Sequence, residues 1–366
     1  MRVGQWVQNR EIIRALIRTV AAASSRRLNS SRNRLEESFD RMHSATLIVE
    51  SYLSGCRVDT FLAKHFRSYT PWRMHRMVRA GQVTVQGTVA QPDRRVFTNE
   101  SVTVRLLEPP DNLMPAEEIS FGIVFEDQWL LIVNKPAGLI VHPTGMNPSG
   151  TLTNAVQYYL DQNSSFPGQS KPGVVHRLDR DTSGCVALAK DHLSHRLLSM
   201  QFQRERISKS YIALVDGVVK LDEGTIDLPI GRARSGASAL MSCQADAVDA
   251  KSSKTNYEVL ERFSRHTLVK AKPRTGRLHQ IRVHFATIGH PVIGDDFYGM
   301  LGELKPERER PAKGEPVLAP ISPYINRQAL HAAELSFAHP MTAEWHTFSA
   351  PLPDDMERAV DLVRAL

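Results

Sequence analysis

Residues 176–184 read HRLDRDTSG, between the apolar pair Val174-Val175 and the run CVALAK at 185–190. Short apolar runs bounded by polar residues and glycine are typical of strands, so the segment is expected to be a loop presented from a sheet. It holds Asp179 and Asp181 beside arginines. A carboxylate next to a guanidinium stays ionised and can act as a nucleophile, although aspartate in a turn often only caps it. Within this loop alone the two interpretations are about equally favoured.

The rest of the chain surrounds this loop with predicted strands and few helices. Strands are predicted at FGIVFEDQWLLIVNKPAG (121–138), KSYIALVDG (209–217), TNYEVLERF (255–263) and HTLVKAKP (266–273), and helices at 150–160, 191–207 and LHQIRVHFATIG (278–289). This interleaving indicates an α+β fold with a mixed, mainly antiparallel central sheet. The domain is placed at residues 115–355, with a surface insertion at 302–323 and a C-terminal helix at 356–366.

A second, smaller domain is predicted at residues 51–108. Apolar residues from Val58 to Phe66 recur at helical spacing, a second helix follows, and a strand pair turns at Gly87. The second helix carries three arginines at i, i+3 and i+6, which share one helix face. They are Arg73, Arg76 and Arg79. On its own, such a stripe is usually a solvated helix surface.

Positive charge is concentrated in two parts of the chain. The 366 residues have a formal net charge of +7. Residues 1–35 hold eight arginines and one acidic residue, and residues 57–105 hold nine basic and three acidic residues. Because the chain after Leu35 is neutral overall, its charge favours nucleic-acid binding by these two parts more than by the large domain.

Residues 1–50 are predicted to be a basic, disordered N-terminal arm. They are interpreted as an arm that contacts RNA, as a mitochondrial transit peptide, or as residues added by a start site placed too early, with Met42 as the true first residue. The RNA-contacting arm and the misplaced start site are favoured. The cysteines Cys56, Cys185 and Cys243 form no C-x-x-C pair, which fits a reducing cytoplasm. No stretch approaches the ~20 apolar residues of a membrane helix, so no membrane partner is expected.

Missing motifs exclude several classes of enzyme. Gly231 and Gly236 have the spacing of a P-loop, but Ala237 stands where lysine is required. The sequence has no dinucleotide-binding glycine turn, no H-E-x-x-H and no G-x-S-x-G, and its fourteen histidines show no metal-ligand spacing. Aspartyl-phosphate phosphatases need threonine or valine two positions after the second aspartate, where Ser183 stands. The sequence therefore predicts no cofactor and no metal.

Three segments resemble the signature motifs of the large-subunit ribosomal RNA pseudouridine synthases of the RluA type. These are HRLDRDTSG, KSYIALV and RTGRLHQIRVHFATIGHPVIGDDFYG (274–299), with VNKPAGLIVHP (133–143) and QALHAAELSFAHP (328–340) resembling flanking blocks in the expected order. The run that begins RVDTFLAKHF at Arg57 resembles an S-four-type (alpha-L) RNA-binding domain. The combination most resembles the RluD-like branch, over roughly residues 55–352, and implies the pseudouridine synthase fold. Leu278 departs from the usual threonine or serine.

The resemblance implies specific roles. Asp179 matches the catalytic aspartate, Arg282 the basic residue paired with it, and Tyr211 a tyrosine that contacts the uracil and serves in removing its carbon-5 proton. Asp181 falls on a variable position. Arg177 matches an arginine that holds the RNA after the target base is flipped. The residues predicted to bind RNA are Arg57, Arg73, Arg76, Arg79, Arg177, Arg180, Arg277 and His279.

The chemistry is consistent with the missing motifs. Isomerisation breaks the glycosidic bond, turns the uracil and rejoins it through carbon, without redox change or phosphate transfer. The aspartate attacks either the sugar or the uracil ring, and both remain open. A stacked base is unreachable, so the enzyme must extrude it.

The expected function is therefore that of a pseudouridine synthase acting as a monomer on structured RNA, with large-subunit ribosomal RNA favoured over transfer RNA. The alternative is a catalytically idle RNA-binding or ribosome-assembly factor built on the same fold. The intact set of Asp179, Tyr211 and Arg282 favours the enzyme, because an idle relative tolerates the loss of such residues.

Overall fold

The computed structural model describes residues 44–106, 114–145, 147–164, 168, 170–234, 240–305 and 323–366. The chain divides into two compact units, a small one of residues 1–113 with 163–169 and a large one of residues 114–162 with 170–366. Most of the predicted arm and of the 302–323 insertion lies outside the described residues. None of the helices in the described segments is long and apolar enough to cross a membrane.

The described part of the small unit is a four-stranded antiparallel sheet with two α-helices. Its elements are β1 (Ser44–Ile48), α1 (Val58–His65), α2 (Pro71–Arg79), β2 (Val83–Val85), β3 (Thr88–Val89) and β4 (Ser101–Arg105), in sheet order β1-β4-β2-β3. The boundary predicted at residue 51 is wrong, because β1 pairs with β4 along its whole length. Residues 44–50 therefore belong to this unit and not to the arm.

Helix α2 has clear start and stop signals. It begins where the Thr70 side chain accepts a hydrogen bond from the amide of Arg73, with Pro71 in the first turn. It ends at Ala80, after which Gly81 turns the chain with a φ of 71°. Its apolar side chains, among them Met74, join one buried core with those of α1 and the sheet. Arg76 and Arg79 are left exposed on the helix, and Arg73 is half-buried.

The large unit is built on a ten-stranded sheet. Its strands are β5 (Gly122–Glu126), β6 (Leu130–Lys135), β7 (Gly173–Val174), β8 (Ser183–Ala189), β9 (Ile207–Asp216), β10 (Glu223–Asp227), β14 (Lys254–Arg262), β15 (His266–Pro273), β16 (Leu330–Ala338) and β17 (Trp345–Ser349). A separate three-stranded sheet contains β11 (Ile230–Arg232), β12 (Met241–Ser242) and β13 (Val248–Lys251). Within the large sheet β8 pairs with β16 in parallel, and its other strand pairs are antiparallel. The predicted mixed, mainly antiparallel sheet is confirmed.

Among the described residues, four α-helices complete the large unit. They are α3 (Leu152–Gln162), α4 (His192–Gln203), α5 (Gln280–Thr287) and α6 (Asp354–Arg364). Helix α6 begins two residues before the predicted residue 356, and Met356, Ala359 and Val360 bury it against the same core as α5 and the central strands. The C-terminal helix is thus part of the large unit and not a separate segment, since its apolar face has no other cover.

The three central strands of the sheet are β8, β16 and β9, and a glycine allows the first two to meet. Gly184, in β8, pairs with Ala332 of β16, which in turn pairs with Tyr211 of β9. A Cβ on Gly184 would lie 2.2 Å from the Ala332 carbonyl oxygen, and the glycine φ is 114°. Only glycine fits this conformation and this close approach. Ser183 and Gly184 are therefore part of β8, and the loop itself is residues 175–182.

Candidate active site

The predicted catalytic residues come from three separate elements of the large unit. Asp179 lies in the 175–182 loop between β7 and β8, Tyr211 in β9, and Arg282 in α5. Tyr211 and Gly184 lie in one row across β9, β16 and β8. This row places the end of the loop two strands away from the tyrosine, on the order of 10 Å at the usual strand spacing.

Asp179 contacts α5 rather than its own turn. Nη1 of Arg282 donates a hydrogen bond to Oδ2 of Asp179 at 3.1 Å. Within the loop, the amide of Thr182 donates to the main-chain oxygen of Asp179, not to its carboxylate. The carboxylate is thus available to a cavity and does not cap the loop, which decides against the capping interpretation.

A second acid holds Arg282, and the sequence reasoning missed it. Nε and Nη2 of Arg282 donate to the two carboxylate oxygens of Asp295 at 2.7 and 2.8 Å. Asp295 is fully buried and Arg282 is 2% exposed. Burial opposes the charged form of each group, but their mutual attraction outweighs it, so the pKa of Arg282 is raised and that of Asp295 is lowered. Asp295 therefore fixes the arginine and leaves Nη1 for Asp179.

The local sequence around Asp295 makes this possible. Asp295 also accepts from the amides of Phe297 and Tyr298. Gly294, before it, has a φ of 71°, and a Cβ there would meet the carbonyl oxygen of Arg327 at 2.1 Å. The sequence signal for Asp295 was an acid at the end of the apolar run HPVIGD. The run itself does not show that Arg282 is its partner.

His279 lies beside this pair and is neutral. Its Nε2 is 4.0 Å from Oδ1 of Asp179, and its Nδ1 is 2.7 Å from the hydroxyl of Tyr298. Burial lowers the pKa of His279 to about 4, although the Asp179 charge acts in the opposite direction. At neutral pH this predicted RNA-binding residue therefore offers a polar contact and no positive charge.

Asp179 opens onto a cavity of about 610 Å³. Tyr211, Arg282 and three of the predicted RNA-binding residues (Arg177, Arg277 and His279) line it. Arg180 does not line this cavity, although its carbonyl oxygen accepts a hydrogen bond from Lys135. The cavity has the size of a small-molecule pocket, and basic side chains surround its acid.

Three alternate side chains of β9, Ile207, Lys209 and Tyr211, face this cavity together. Lys209 lines it with Tyr211, as the alternation of a strand requires for residues two apart. The Lys209 ammonium donates to the carbonyl oxygen of Thr275 at 3.2 Å, and burial lowers its pKa. Burial raises the pKa of Tyr211 and the Asp179 charge raises it further, so the phenol is neutral. In the strand segment Lys209-Ser210-Tyr211, residues two apart face the same side of the sheet. This alternation was the sequence signal that Lys209 lines the cavity beside Tyr211.

Lys135 supports the loop from the opposite side. This fully buried lysine donates to the carbonyl oxygens of Pro136, Leu139 and Arg180 at 2.8, 2.8 and 2.9 Å. Burial lowers its pKa to about 7, against the attraction of Asp181 and Asp179. Its role is visible only in three dimensions, because the three acceptors come from two distant parts of the chain.

Buried histidines predict a dependence of stability on pH. Burial lowers the pKa of His176 to about 3 and of His279 to about 4, and it also lowers the pKa of His284 and His331. Below pH ~6.5 these histidines are protonated in the unfolded chain but stay neutral in the folded protein. Proton binding therefore favours the unfolded state. Each is then expected to lower the free energy of unfolding by up to about 1.4 kcal/mol per pH unit.

Urea unfolding between pH 7.5 and 4.5 measures this effect. In His176→Gln, an acceptor for the Ala187 amide is kept but the titrating group is lost, so the slope is expected to be shallower. Equal slopes for the variant and the wild type would contradict the assignment.

The predicted RNA-binding arginines of the small unit differ in their surroundings. Arg57 is held by Asp59, with Nη2 2.6 Å from Oδ2, and its Nη2 also lies 3.2 Å from Nδ1 of His75. Arg73 is half-buried, whereas Arg76 and Arg79 are exposed on α2. The stripe therefore offers two outward-facing cations, and Arg57 is partly neutralised by its ion pair.

The described residues contain no group of three or more His, Cys, Asp or Glu side chains arranged to hold a metal ion. The residues that line the cavity include Asp179, Arg282, Tyr211 and Lys209, beside Glu205 and three further arginines. Such groups can perform nucleophilic attack, charge stabilisation and proton transfer.

Known proteins are similar to this chain in sequence and fold. A model of the RNA pseudouridylate synthase family matches residues 129–287. The chain is 37% identical over 308 residues to the uncharacterized RNA pseudouridine synthase YlyB of Bacillus subtilis, covering 84% of this chain and 94% of that protein. It is 36% identical over 312 residues to the ribosomal large subunit pseudouridine synthase D of Pseudomonas aeruginosa, covering 85% and 93%.

A solved structure supports the fold assignment. Human RNA pseudouridylate synthase domain containing 4 is 24% identical and superposes with a TM-score of 0.53, covering 66% of this chain and 93% of that one. The α+β pseudouridine synthase fold expected from the motifs is thereby confirmed. The chain therefore belongs to the RNA pseudouridine synthase family, with relatives of the RluD type, and is an isomerase that acts on RNA.

Proposed function

We propose that this enzyme isomerises uridines of large-subunit ribosomal RNA with Asp179 as its nucleophile. In the reaction the bond from C1′ to N1 breaks and a bond from C1′ to C5 forms. The proton on C5 leaves and N1 gains one, so that no electrons are exchanged with a partner. The observation that carries the proposal is the Asp179–Arg282 contact of 3.1 Å at the cavity that Tyr211 lines.

Arg282 has two tasks in this proposal. It holds the carboxylate in a fixed direction, and its buried positive charge stabilises negative charge that develops nearby. Tyr211 contacts the uracil ring and takes part in removing the C5 proton, which it can accept only after its phenol has given its own proton to another group. Because Asp295 binds Nε and Nη2 of Arg282, the arginine cannot form a bidentate pair with Asp179. The Asp179 carboxylate is therefore free to attack.

The cavity supports base flipping. A paired and stacked uridine cannot reach a carboxylate in a recess, so the base must leave the RNA stack, at a cost of a few kcal/mol. Arg177 and Arg277 line the cavity and are exposed. We propose that these two arginines hold the backbone around the extruded nucleotide.

We propose that the small unit is an S-four-type RNA-binding domain that uses α2. Arg76 and Arg79 are exposed, and the guanidinium of Arg76 lies 4.9 Å from the ring centre of Trp72. Trp72 is 66% exposed, so its ring is accessible beside the Arg76 guanidinium. Cations next to an exposed ring suit RNA, whose phosphates take the charges and whose bases stack on aromatic residues.

Replacing Arg76 and Arg79 together by alanine is expected to weaken RNA binding and flatten its salt dependence. Two lost phosphate contacts lower the slope of log K against log salt concentration by about 1.5 to 2. Filter binding to ribosomal RNA at several salt concentrations measures this slope. Arg94→Ala is the control, because Arg94 is paired with Glu100 at 2.6 Å. An unchanged slope in the double variant would rule out this surface.

The target RNA can be tested by mapping pseudouridines in ribosomal and transfer RNA from cells with and without the gene. We expect specific sites in large-subunit ribosomal RNA to disappear and to return with the wild-type gene but not with Asp179→Asn. Loss of sites in transfer RNA alone would identify the alternative target. Unchanged modification in all RNA would favour the idle RNA-binding factor.

A further inference from the structure

The loop that carries Asp179 contributes residues to two cavities of the large unit. Asp179 and Thr182 line the catalytic cavity. Asp181 lines a second cavity of about 460 Å³, which Arg327 and Asp355 also line and which we call the rear cavity. Asp181 therefore borders an open space instead of the packed core, and its stretch of the loop is held by hydrogen bonds to its backbone.

Two buried basic side chains, Lys135 and Arg327, hold the backbone of the loop. Lys135 donates to the carbonyl oxygen of Arg180 at 2.9 Å. Nη1 of Arg327 donates to the carbonyl oxygen of the next residue, Asp181, at 3.0 Å. Successive carbonyl groups beside Asp179 are therefore held by separate basic side chains, and the bond from the charged Arg327 guanidinium is stronger than one from a neutral donor.

Arg327 is itself oriented by an acid on the C-terminal helix. Its Nε and Nη2 donate to the two carboxylate oxygens of Asp355 at 2.7 and 2.8 Å. This paired geometry sets the plane of the guanidinium and therefore the direction of Nη1. Asp355 lies in the first turn of α6, which Met356 anchors in the core. The position of α6 is thus transmitted to the loop through one side chain.

We propose that Arg327, oriented by Asp355, is a positioning residue that keeps the loop at the distance from Arg282 that the reaction requires. The proposal rests on the nucleophilic role proposed for Asp179. Neither Arg327 nor Asp355 lines the catalytic cavity, so both act through the loop backbone. A displacement of about 1 Å at a reacting group is enough to slow a reaction about a hundredfold.

The variant Asp355→Asn tests this role without touching the core, because the Asp355 side chain is 38% exposed. Asp354→Asn is the matched control, since Asp354 is also an acid of the first turn of α6 but is exposed and makes no described contact with Arg327. The substrate is RNA from cells lacking the gene, labelled with tritium at C5 of uridine. The label is released as the new carbon–carbon bond forms.

We expect Asp355→Asn to slow the single-turnover rate by between about tenfold and about a hundredfold, with an unchanged Kd for the RNA. Asp355→Glu should recover part of the rate, and Asp354→Asn should match the wild type. A wild-type rate in Asp355→Asn overturns the proposal. A loss of rate that only follows the unfolded fraction at the assay temperature, measured by urea unfolding, overturns it as well.

Asp179→Asn, assayed alongside, separates the two proposals. If Asp179→Asn releases tritium at the wild-type rate, the nucleophile assignment fails. If it is inactive while Asp355→Asn is fully active, only the positioning role fails.

Discussion

Asp179→Asn is expected to lower the single-turnover rate of pseudouridine formation by at least about 10³-fold, because an amide cannot attack as a carboxylate does. RNA affinity should remain close to that of the wild type, since the variant keeps the size of the side chain and the basic residues that line the cavity. Tritium release from C5-labelled RNA measures the rate, and filter binding measures the affinity.

Asp181→Asn is the matched control for this experiment. Asp181 is two residues away in the same loop, and it lines the rear cavity and not the catalytic one. We expect its variant to keep near wild-type turnover. Activity in Asp179→Asn, or equal losses in both variants, would contradict the assignment of the nucleophile.

Asp295→Asn is expected to destabilise the protein and to inactivate what remains folded. Arg282 is 2% exposed and would lose the charge that compensates its burial. Removing one partner of a buried ion pair lowers the free energy of unfolding by about 3–5 kcal/mol. In the folded fraction, we expect Arg282 to turn its free nitrogens to Asp179 and so hold the nucleophile too tightly to attack.

Urea unfolding and single-turnover rates of the same preparation measure both effects. Asp296→Asn serves as the control, because Asp296 lies farther from Arg282, with its Oδ1 at 3.6 Å from Nη2. We expect a clearly smaller change in stability for this variant. If Asp295→Asn is as stable and as active as Asp296→Asn, the bidentate pair does not have the role assigned to it.

Much of the fold could be predicted because its signals are local. The α2 arginines recur at a spacing that places them on one helix face, and the alternation of TNYEVLERF and HTLVKAKP predicts the hairpin of β14 and β15, which the structure contains. Boundaries were less predictable. Strand β1 was assigned to the arm because its five residues gain order from pairing with β4, which lies more than fifty residues later and leaves no mark on the local pattern.

The residues of the candidate site also fall into those that local sequence predicts and those that only the structure shows. Ordered motifs identified Asp179, Tyr211 and Arg282, since each lies within its own segment. They did not identify Asp295 as the partner of Arg282, or Arg327 as the donor to the loop, since each contact depends on how distant segments pack. Arg180 was predicted to bind RNA because it follows Asp179 in the sequence. Asp179 lines the catalytic cavity, whereas Arg180 does not.

The sequence by itself determined the class of fold, and it predicted which groups react and their order along the chain. Only the tertiary structure decided which way Asp179 points and what holds it there. Arg282 and Asp179 are 103 residues apart, and Arg327 and Asp181 are 146 apart. Buried charges require partners wherever the fold can supply them, and which partner is within reach is a property of packing and not of local sequence.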